Sequence, residues 1–322
     1  MTVAFSLGLV TFVALGFAPW VLPTWIVGLT TIALGNGLVV LGLIVLWRAG
    51  LVSFGQALYF ALGAYSAAMI LGSTPITDAI VLVIIAMLIG GAVSLLIGFL
   101  LARYREIFFA MLSLALSMIL YGLLVKSAAL GSTDGFNVGT FTLFGHPLEG
   151  EERAKGVYWL ALAFAALATL AVSAYWRSVA GASAIPLREN EIRVEYLGVS
   201  ANRLVHLKVI IAGILAAAGG AIVAMSVGHV DPDMAYWTTS GGFVFVAIMA
   251  GPASVIGAFI GSVVFELVRT EALAIFPNGW QLILGSVLLA TIMFFPSGIG
   301  SLFTWRARPP AEPVGEPRRV EP

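Results

Sequence analysis

The sequence contains no cysteine. That excludes disulfides, thiolate nucleophiles and cysteine-based metal sites, and it leaves the redox compartment unreadable. Charge is also scarce: 16 Lys+Arg and 16 Asp+Glu in 322 residues make 10% of the chain, against about 25% in ordinary soluble domains. These charges sum to zero, so there is no basic face for nucleic acid and no bulk attraction to a charged partner. The only lysines are Lys126, Lys155 and Lys208. None completes a G-x-x-x-x-G-K-[ST] phosphate loop, because Lys126 follows Val125 and the other two lack a following Ser or Thr. The three histidines, His146, His206 and His229, lie far apart, and no Ser/His/Asp set occurs at a characteristic spacing. His229, Asp231 and Asp233 form a small polar group that reads as a hydrated loop rather than a metal site. A soluble enzyme, a disordered chain and a nucleic-acid binder are therefore excluded, and neither a nucleotide site nor a cofactor is encoded.

Apolar residues are abundant, at 60% of the chain, with a mean hydropathy of +1.04. The runs are long and do not alternate, which excludes a membrane β-barrel and predicts an all-α polytopic membrane protein. A spanning helix needs about 20 apolar residues. Ten candidates meet or approach this: 5–22, 25–47, 55–73, 79–101, 106–128, 157–176, 206–228, 238–250, 254–270 and 280–303. The first lacks a basic leader and reads as a span, not a signal peptide. The eighth, at 13 residues, is too short to cross unaided and is expected as a half-helix or re-entrant piece.

Lys and Arg mark the cytoplasmic side. With the N-terminus inside, that side holds Arg48, Arg103, Arg105, Arg177, Arg188, Arg193, Arg203, Lys208, Arg306, Arg308, Arg318 and Arg319. The other side holds Lys126, Arg153, Lys155 and Arg269. Twelve against four places both termini in the cytoplasm. The expected organisation is a transmembrane domain over 1–305, with an external loop at 131–156, a cytoplasmic loop at 177–205, and a disordered cytoplasmic tail over 306–322. The tail has five prolines and four arginines in 17 residues.

Small residues recur every fourth position at Gly90, Ser94 and Gly98, at Gly257 and Gly261, and at Gly213 with Ala217. Such stripes predict close helix packing. Ala49-Gly50-Leu51-Val52-Ser53 and Ala250-Gly251-Pro252-Ala253-Ser254 share A-G-x-x-S, a faint repeat that, if real, is parallel. Acidic residues are nearly absent from the spans: Glu266 lies towards the outer end of the ninth, and Glu106 starts the fifth, where the helix N-terminus favours a carboxylate. A carrier coupled to protons or ions places titrating groups on its path, so these spans point to an externally powered permease or a passive pore.

Polar features are few. Ser113, Ser117 and Tyr121 form a four-residue stripe on the fifth span, and Ser53 and Gln56 begin the third. These five line a candidate solute path, with serines bonded to their own helix backbone as the competing reading. Residues 187–197 predict a short amphipathic helix, with Pro186 in its first turn, Gly198 as its stop, and Leu187, Val194 and Leu197 on one side. Its charged residues, Arg188, Glu189, Glu191, Arg193 and Glu195, suit docking to a soluble partner or a plain solvated surface.

The same loop carries a resemblance. Arg188-Glu189-Asn190-Glu191-Ile192-Arg193 followed by Glu195-Tyr196-Leu197-Gly198-Val199 resembles the A-I-R-E-N-E-x-x-A-E-x-L-G-[IV] segment of LivM-type permeases. These are subunits of ABC importers for branched-chain amino acids and related solutes. Ala49-Gly50-Leu51-Val52-Ser53-Phe54-Gly55-Gln56-Ala57 with Gly63-Ala64-Tyr65 resembles that family's A-G-x-x-S-x-G-x-A…G-A-Y. Phe108-Phe109-Ala110-Met111 and Thr133-Asp134-Gly135 resemble two further family segments, and the order holds from about residue 35 to 303. The chain departs from the family at Ala182 and Ile185, where basic residues are common, and at Ala250–Ser254, where the family has G-G-x-G-[ST].

The resemblance implies a bundle of the type II ABC importer kind in the inner membrane of a prokaryote. It implies two cytoplasmic ABC ATPase subunits, a second homologous permease subunit and a periplasmic or extracellular solute-binding protein as partners. It also implies that the loop helix sits in a cleft of the ATPase. Branched-chain amino acids are the expected solute, urea or a short amide the alternative, and a passive channel for a small neutral solute the rival of another class.

Overall fold

The computed structural model describes residues 16, 18–252, 254–295 and 298–300. Twelve α-helices are present among them: α1 Thr24–Trp47, α2 Gln56–Ser73, α3 Ala79–Leu101, α4 Glu106–Lys126, α5 Gly150–Arg177, α6 Val179–Ala182, α7 Ala184–Glu189, α8 Glu191–Tyr196, α9 Ala201–Val227, α10 Trp237–Ala250, α11 Val255–Ile275 and α12 Trp280–Phe294. Nine of the ten expected spans coincide with helices, the last only in part, since α12 stops at Phe294 and the expected span runs to 303. The remaining span, 5–22, lies largely outside the described residues, as do 301–303 and the tail 306–322. Five helices, α1, α3, α4, α5 and α9, are long and apolar enough to cross a membrane by length and composition.

The bundle is organised around α9. Its run Ala216-Ala217-Ala218-Gly219-Gly220-Ala221 carries no bulky side chain, so three neighbours approach at backbone distance. Gly219 meets Gly35 of α1, Gly220 meets Phe60 of α2, and Gly213 meets Ser94 and Gly90 of α3. The expected seams are thus in place: Gly90 faces Ala217 and Gly213, Gly98 faces His206, and Gly257 and Gly261 pack on Ala250. Burial follows this order. In α1 and α9, 78% of the most apolar stretch is buried, against 28% in α3 and 22% in α4, which present Leu88, Leu96, Phe108 and Met111 outwards. No residue of α12 is buried.

Local chemistry fixes the ends. Asp78 caps α3 by accepting from Ile80 N at 3.0 Å, and its other oxygen accepts from Phe144 N at 2.9 Å, tying the following loop to the helix. Ser254 caps α11 by accepting from Gly257 N, while Glu106 makes no capping hydrogen bond at the start of α4. In the A-G-x-x-S pair, Gly50 and Gly251 both adopt positive φ, +78° and +76°.

Three boundaries differ from expectation. Helix α5 begins at Gly150 and runs 28 residues, because Glu151, Glu152, Arg153 and Lys155 extend it beyond the apolar stretch. The loop between α4 and α5 is accordingly shorter than expected, and it is braced by two ribbons: β1 (Phe136–Asn137) pairs with β4 (His229–Val230), and β2 (Thr142–Leu143) with β3 (His146–Pro147). Helix α9 begins at Ala201, five residues before the expected span. The helix expected over 187–197 is two helices, α7 and α8. Asn190 has extended backbone, and its side chain accepts from Arg193 N at 3.0 Å, capping α8. Pro186 therefore lies inside α7, Gly198 ends α8 with φ +83°, and Leu197 is exposed while Leu187 and Val194 are buried.

Candidate functional site

Two regions collect the polar side chains. The first is the loop of α6, α7 and α8. Arg105, just before α4, holds it by a two-point grip on Glu191: Nε donates to Oε2 at 2.9 Å and Nη2 to Oε1 at 2.7 Å. The same guanidinium donates to Asn202 Oδ1 at 2.9 Å and to the carbonyls of Ala102 and Tyr104. One arginine thus joins the end of α3, α8 and the start of α9. Leu187 and Val194 pack into a small core with Leu101, Phe109 and Leu204. The outer surface of the loop shows Glu189, Arg193 and Glu195, none of them paired among the described residues. Between these charges stand Ile192, Leu197 and Tyr196, at 65%, 77% and 87% exposure. Of the five charged residues expected on the docking face, Glu191 turns inward to Arg105, and the stem of Arg188 lies on Gly50.

The second region is a polar seam where broken helices meet. Chain 48–55 between α1 and α2 has no helix of its own. Ser113 Oγ accepts from Phe54 N at 3.1 Å and donates to Ala110 O. Ser53 Oγ accepts from Gly55 N. From the other side, a 3₁₀ turn, Pro232–Ala235, leads into α10. Ser117 Oγ donates to Ala235 O at 2.8 Å, and the Tyr121 ring lies against Tyr236 with centroids 4.9 Å apart and planes tilted by 51°. Helix α10, with 14 residues, rises only about 21 Å and starts beside Ser117, near the middle of α4. It is the short helix expected from its length. Ser240 closes the seam, accepting from Ala57 N at 3.0 Å.

All five expected path residues converge here. Both serines of the α4 stripe are satisfied by backbone, so they clip the broken segments in place. Gln56 differs: it is fully buried, and neither carboxamide atom has a partner among the described residues. The Tyr65 hydroxyl is also buried without one among them.

Two further polar features carry weaker sequence signals. Asn36, the one amide in α1, donates from Nδ2 to Glu266 of α11 at 2.8 Å. Lys208, counted among the cytoplasmic cations in the sequence, is fully buried, donating to Ala180 O at 3.1 Å beside the Tyr175 ring. At the outer ribbon, the His229 ring contacts Asn137 Oδ1 through Nδ1 and Asp134 O through Nε2, which makes it a brace of the loop. Asp231 caps the 3₁₀ turn by accepting from Met234 N, and no metal-binding group of side chains occurs among the described residues.

Residues 25–295 match the family described as branched-chain amino acid transport system / permease component. The chain belongs to that family. Two curated relatives are each 25% identical over 296 residues, covering 83% of this chain and 67% of their own length. They are the high-affinity branched-chain amino acid transport system permease proteins LivM of Salmonella typhimurium and Escherichia coli. No solved structure matches the chain at comparable stringency. Membership makes the protein a multi-pass, all-α membrane permease of this family.

Ser240 and Asn36 are not singled out in the sequence, and Arg48 and Lys208 read there only as charges marking the cytoplasmic side. Asn36, in Leu34-Gly35-Asn36-Gly37, interrupts an apolar run, and a lone polar residue within a span is the signal that finds such a position; Ser240 stands in the polar stretch Thr238-Thr239-Ser240 and carries no such signal.

Proposed function

We propose that this chain is the translocation subunit of an ABC importer for branched-chain amino acids or a closely related small solute. In this reading it contains no motor. Two separate cytoplasmic ATPases drive it, a second homologous permease subunit completes the pathway, and an external binding protein delivers the solute. The α6–α8 loop and both termini face the cytoplasm, as the distribution of Lys and Arg favours.

The observation that carries the reading is the outer surface of α7 and α8. Ile192, Tyr196 and Leu197 are mostly exposed between Glu189, Arg193 and Glu195, on a loop clamped by Arg105 and Glu191. A water-facing loop that is both rigid and apolar at its tip suits burial against a partner. Glu189, Arg193 and Glu195 with the three apolar side chains form the docking face, while Glu191 sets its orientation. ATP-driven closure pulls on α7 and α8, the Arg105 junction passes the movement to α3, α4 and α9, and the broken segments on α4 separate. Binding energy must differ between the two states of the loop for this coupling to work. Ser53, Gln56, Ser113, Ser117 and Tyr121 line the opened path.

The test is uptake of labelled leucine into proteoliposomes holding the assembled importer. Tyr196→Asp is expected to abolish ATP-dependent uptake and ATPase capture while leaving subunit folding intact. Uptake that persists without ATPase subunits would instead identify a passive channel.

A further inference from the structure

The face that carries the α6–α8 loop holds an unusual set of uncompensated cations. Arg48 follows the last residue of α1, and its guanidinium lies 3.9 Å from the ring centroid of Trp176, at the end of α5. Arg188 of α7 reaches the same place, its stem against Gly50. The two arginines line a cavity of about 490 Å³ with Ile185, Glu189 and Pro252. Behind it, fully buried Lys208 stands against Tyr175 and Ala180, beside the same turn of α5.

Among the described residues the ion pairs are Arg105–Glu191, Lys155–Glu151 and Arg269–Glu266. None involves Arg48, Arg188 or Lys208. No described oxygen accepts from either arginine side chain, and Glu189 is the only acid among the described residues that line the cavity. The Trp176 indole N–H is likewise buried without an acceptor among the described residues. A guanidinium offers five donors in a fixed fork, so two arginines against the single carboxylate of Glu189 leave the cavity with a surplus of donors and positive charge.

We infer that this cavity binds the phosphate group of an anionic phospholipid head group at the inner membrane surface. Phosphate chemistry fits the donors, since planar guanidinium groups take phosphate oxygens two at a time. The lipid source is favoured over free phosphate by position. The cavity lies at the ends of α1 and α5, beside Trp176, a residue type that gathers at membrane–water interfaces, with Ile185 and Pro252 as apolar wall. Basic pockets between helices on the cytoplasmic side recognise such head groups. A bound phosphate also joins α1 to α7, so the head group steadies the α6–α8 loop in the absence of an ATPase. The inference rests on the membrane location of the chain and on the cytoplasmic placement of the α6–α8 loop proposed above, and it is independent of ATPase docking.

The experiment uses the full chain, purified alone in neutral detergent and examined by native mass spectrometry, with thermal unfolding measured in parallel. The probes are phosphatidylglycerol, phosphatidylcholine and inorganic phosphate. Wild type is expected to retain one phosphatidylglycerol and to prefer it over phosphatidylcholine. R48Q/R188Q is expected to lose affinity by about tenfold or more, the scale for losing charge-assisted bonds. R48K/R188K keeps part of the binding, and Arg203→Gln, an exposed charge elsewhere on this face, keeps all of it. Unchanged phosphatidylglycerol binding by R48Q/R188Q overturns the inference. So does displacement by inorganic phosphate, which assigns the cavity to a soluble anion. Loss of ATPase capture by R48Q/R188Q with lipid binding unaltered also overturns it and assigns the cavity to an acidic side chain of the ATPase.

Discussion

Arg105 grips Glu191 through two nitrogen–oxygen contacts of 2.9 and 2.7 Å, across 86 residues of sequence. Both side chains are roughly a third exposed or less, so solvent screens the pair only in part. An exposed ion pair contributes about 0–1 kcal/mol, and bidentate, partly buried geometry places this one at the upper end of that range or somewhat above it. Glu191→Gln is expected to increase amide hydrogen exchange over residues 190–197 and to lower ATP-driven uptake several-fold. Pairing Arg105→Glu with Glu191→Arg should recover part of the loss from either single reversal. An exchange pattern in E191Q identical to wild type would show that the grip does not order the loop.

The polar link between Asn36 and Glu266 makes a separate prediction. Asn36 Nδ2 donates to Glu266 Oε1 at 2.8 Å, and Arg269 stands 3.7 Å from the other carboxylate oxygen. Asn36→Ala strips a buried carboxylate of a donor and should cost about 1–3 kcal/mol, seen as a lower Tm in detergent. Glu266→Gln keeps an oxygen facing Asn36 and removes the buried charge, so it should cost less than Asn36→Ala. The reverse order would mean that Arg269, and not Asn36, sustains the carboxylate.

Helix packing gives a prediction with an internal control. A Cβ on Gly63 of α2 would collide with the backbone of Ala217 of α9, and backbone cannot swing aside. Gly63→Ala should therefore destabilise by about 1–3 kcal/mol through overpacking. Gly122 of α4 has nothing within 4 Å of the same position. Gly122→Ala should be neutral, or stabilising by up to about 1 kcal/mol, since alanine is the better helix former. Equal Tm shifts for the two variants would contradict the packing order described for α2 and α9.

These three relationships show what the amino-acid sequence made legible. The spans emerged because lipid demands long apolar runs, and the seams at Gly90, Gly98, Gly213 and Gly257 because close approach demands small residues. The break at Asn190 was legible in principle, as an N-cap three residues before Arg193, but helical periodicity across 187–197 masked it. The burial of Lys208 was masked for a related reason: the expected span began at residue 206, whereas α9 starts at Ala201 and carries Lys208 about two turns into the helix. The Arg48–Trp176 and Asn36–Glu266 contacts join helices far apart in the chain, and no local pattern encodes such pairings. The convergence of Ser53, Gln56, Ser113, Ser117 and Tyr121 was foreshadowed by residue type, but their clipping to Phe54 and Ala235 depends on the breaks before α2 and α10.

Gln56 separates a packing role from a transport role. Its carboxamide is fully buried with no partner among the described residues, at the first residue of α2 and within the seam closed by Ser240. An unsatisfied buried amide costs about 1–3 kcal/mol. Gln56→Leu, of similar size and without polar atoms, should therefore raise Tm in detergent. If the carboxamide is retained to meet a solute as the seam opens, the same variant should lower ATP-driven uptake although the subunit is more stable. Ser117→Ala is the contrasting case: it leaves the Ala235 carbonyl without its donor, so Tm should fall, with a cost of about 1 kcal/mol. A more stable Q56L protein with unaltered uptake would remove Gln56 from the path. A less stable one would show that the carboxamide is satisfied in the folded subunit.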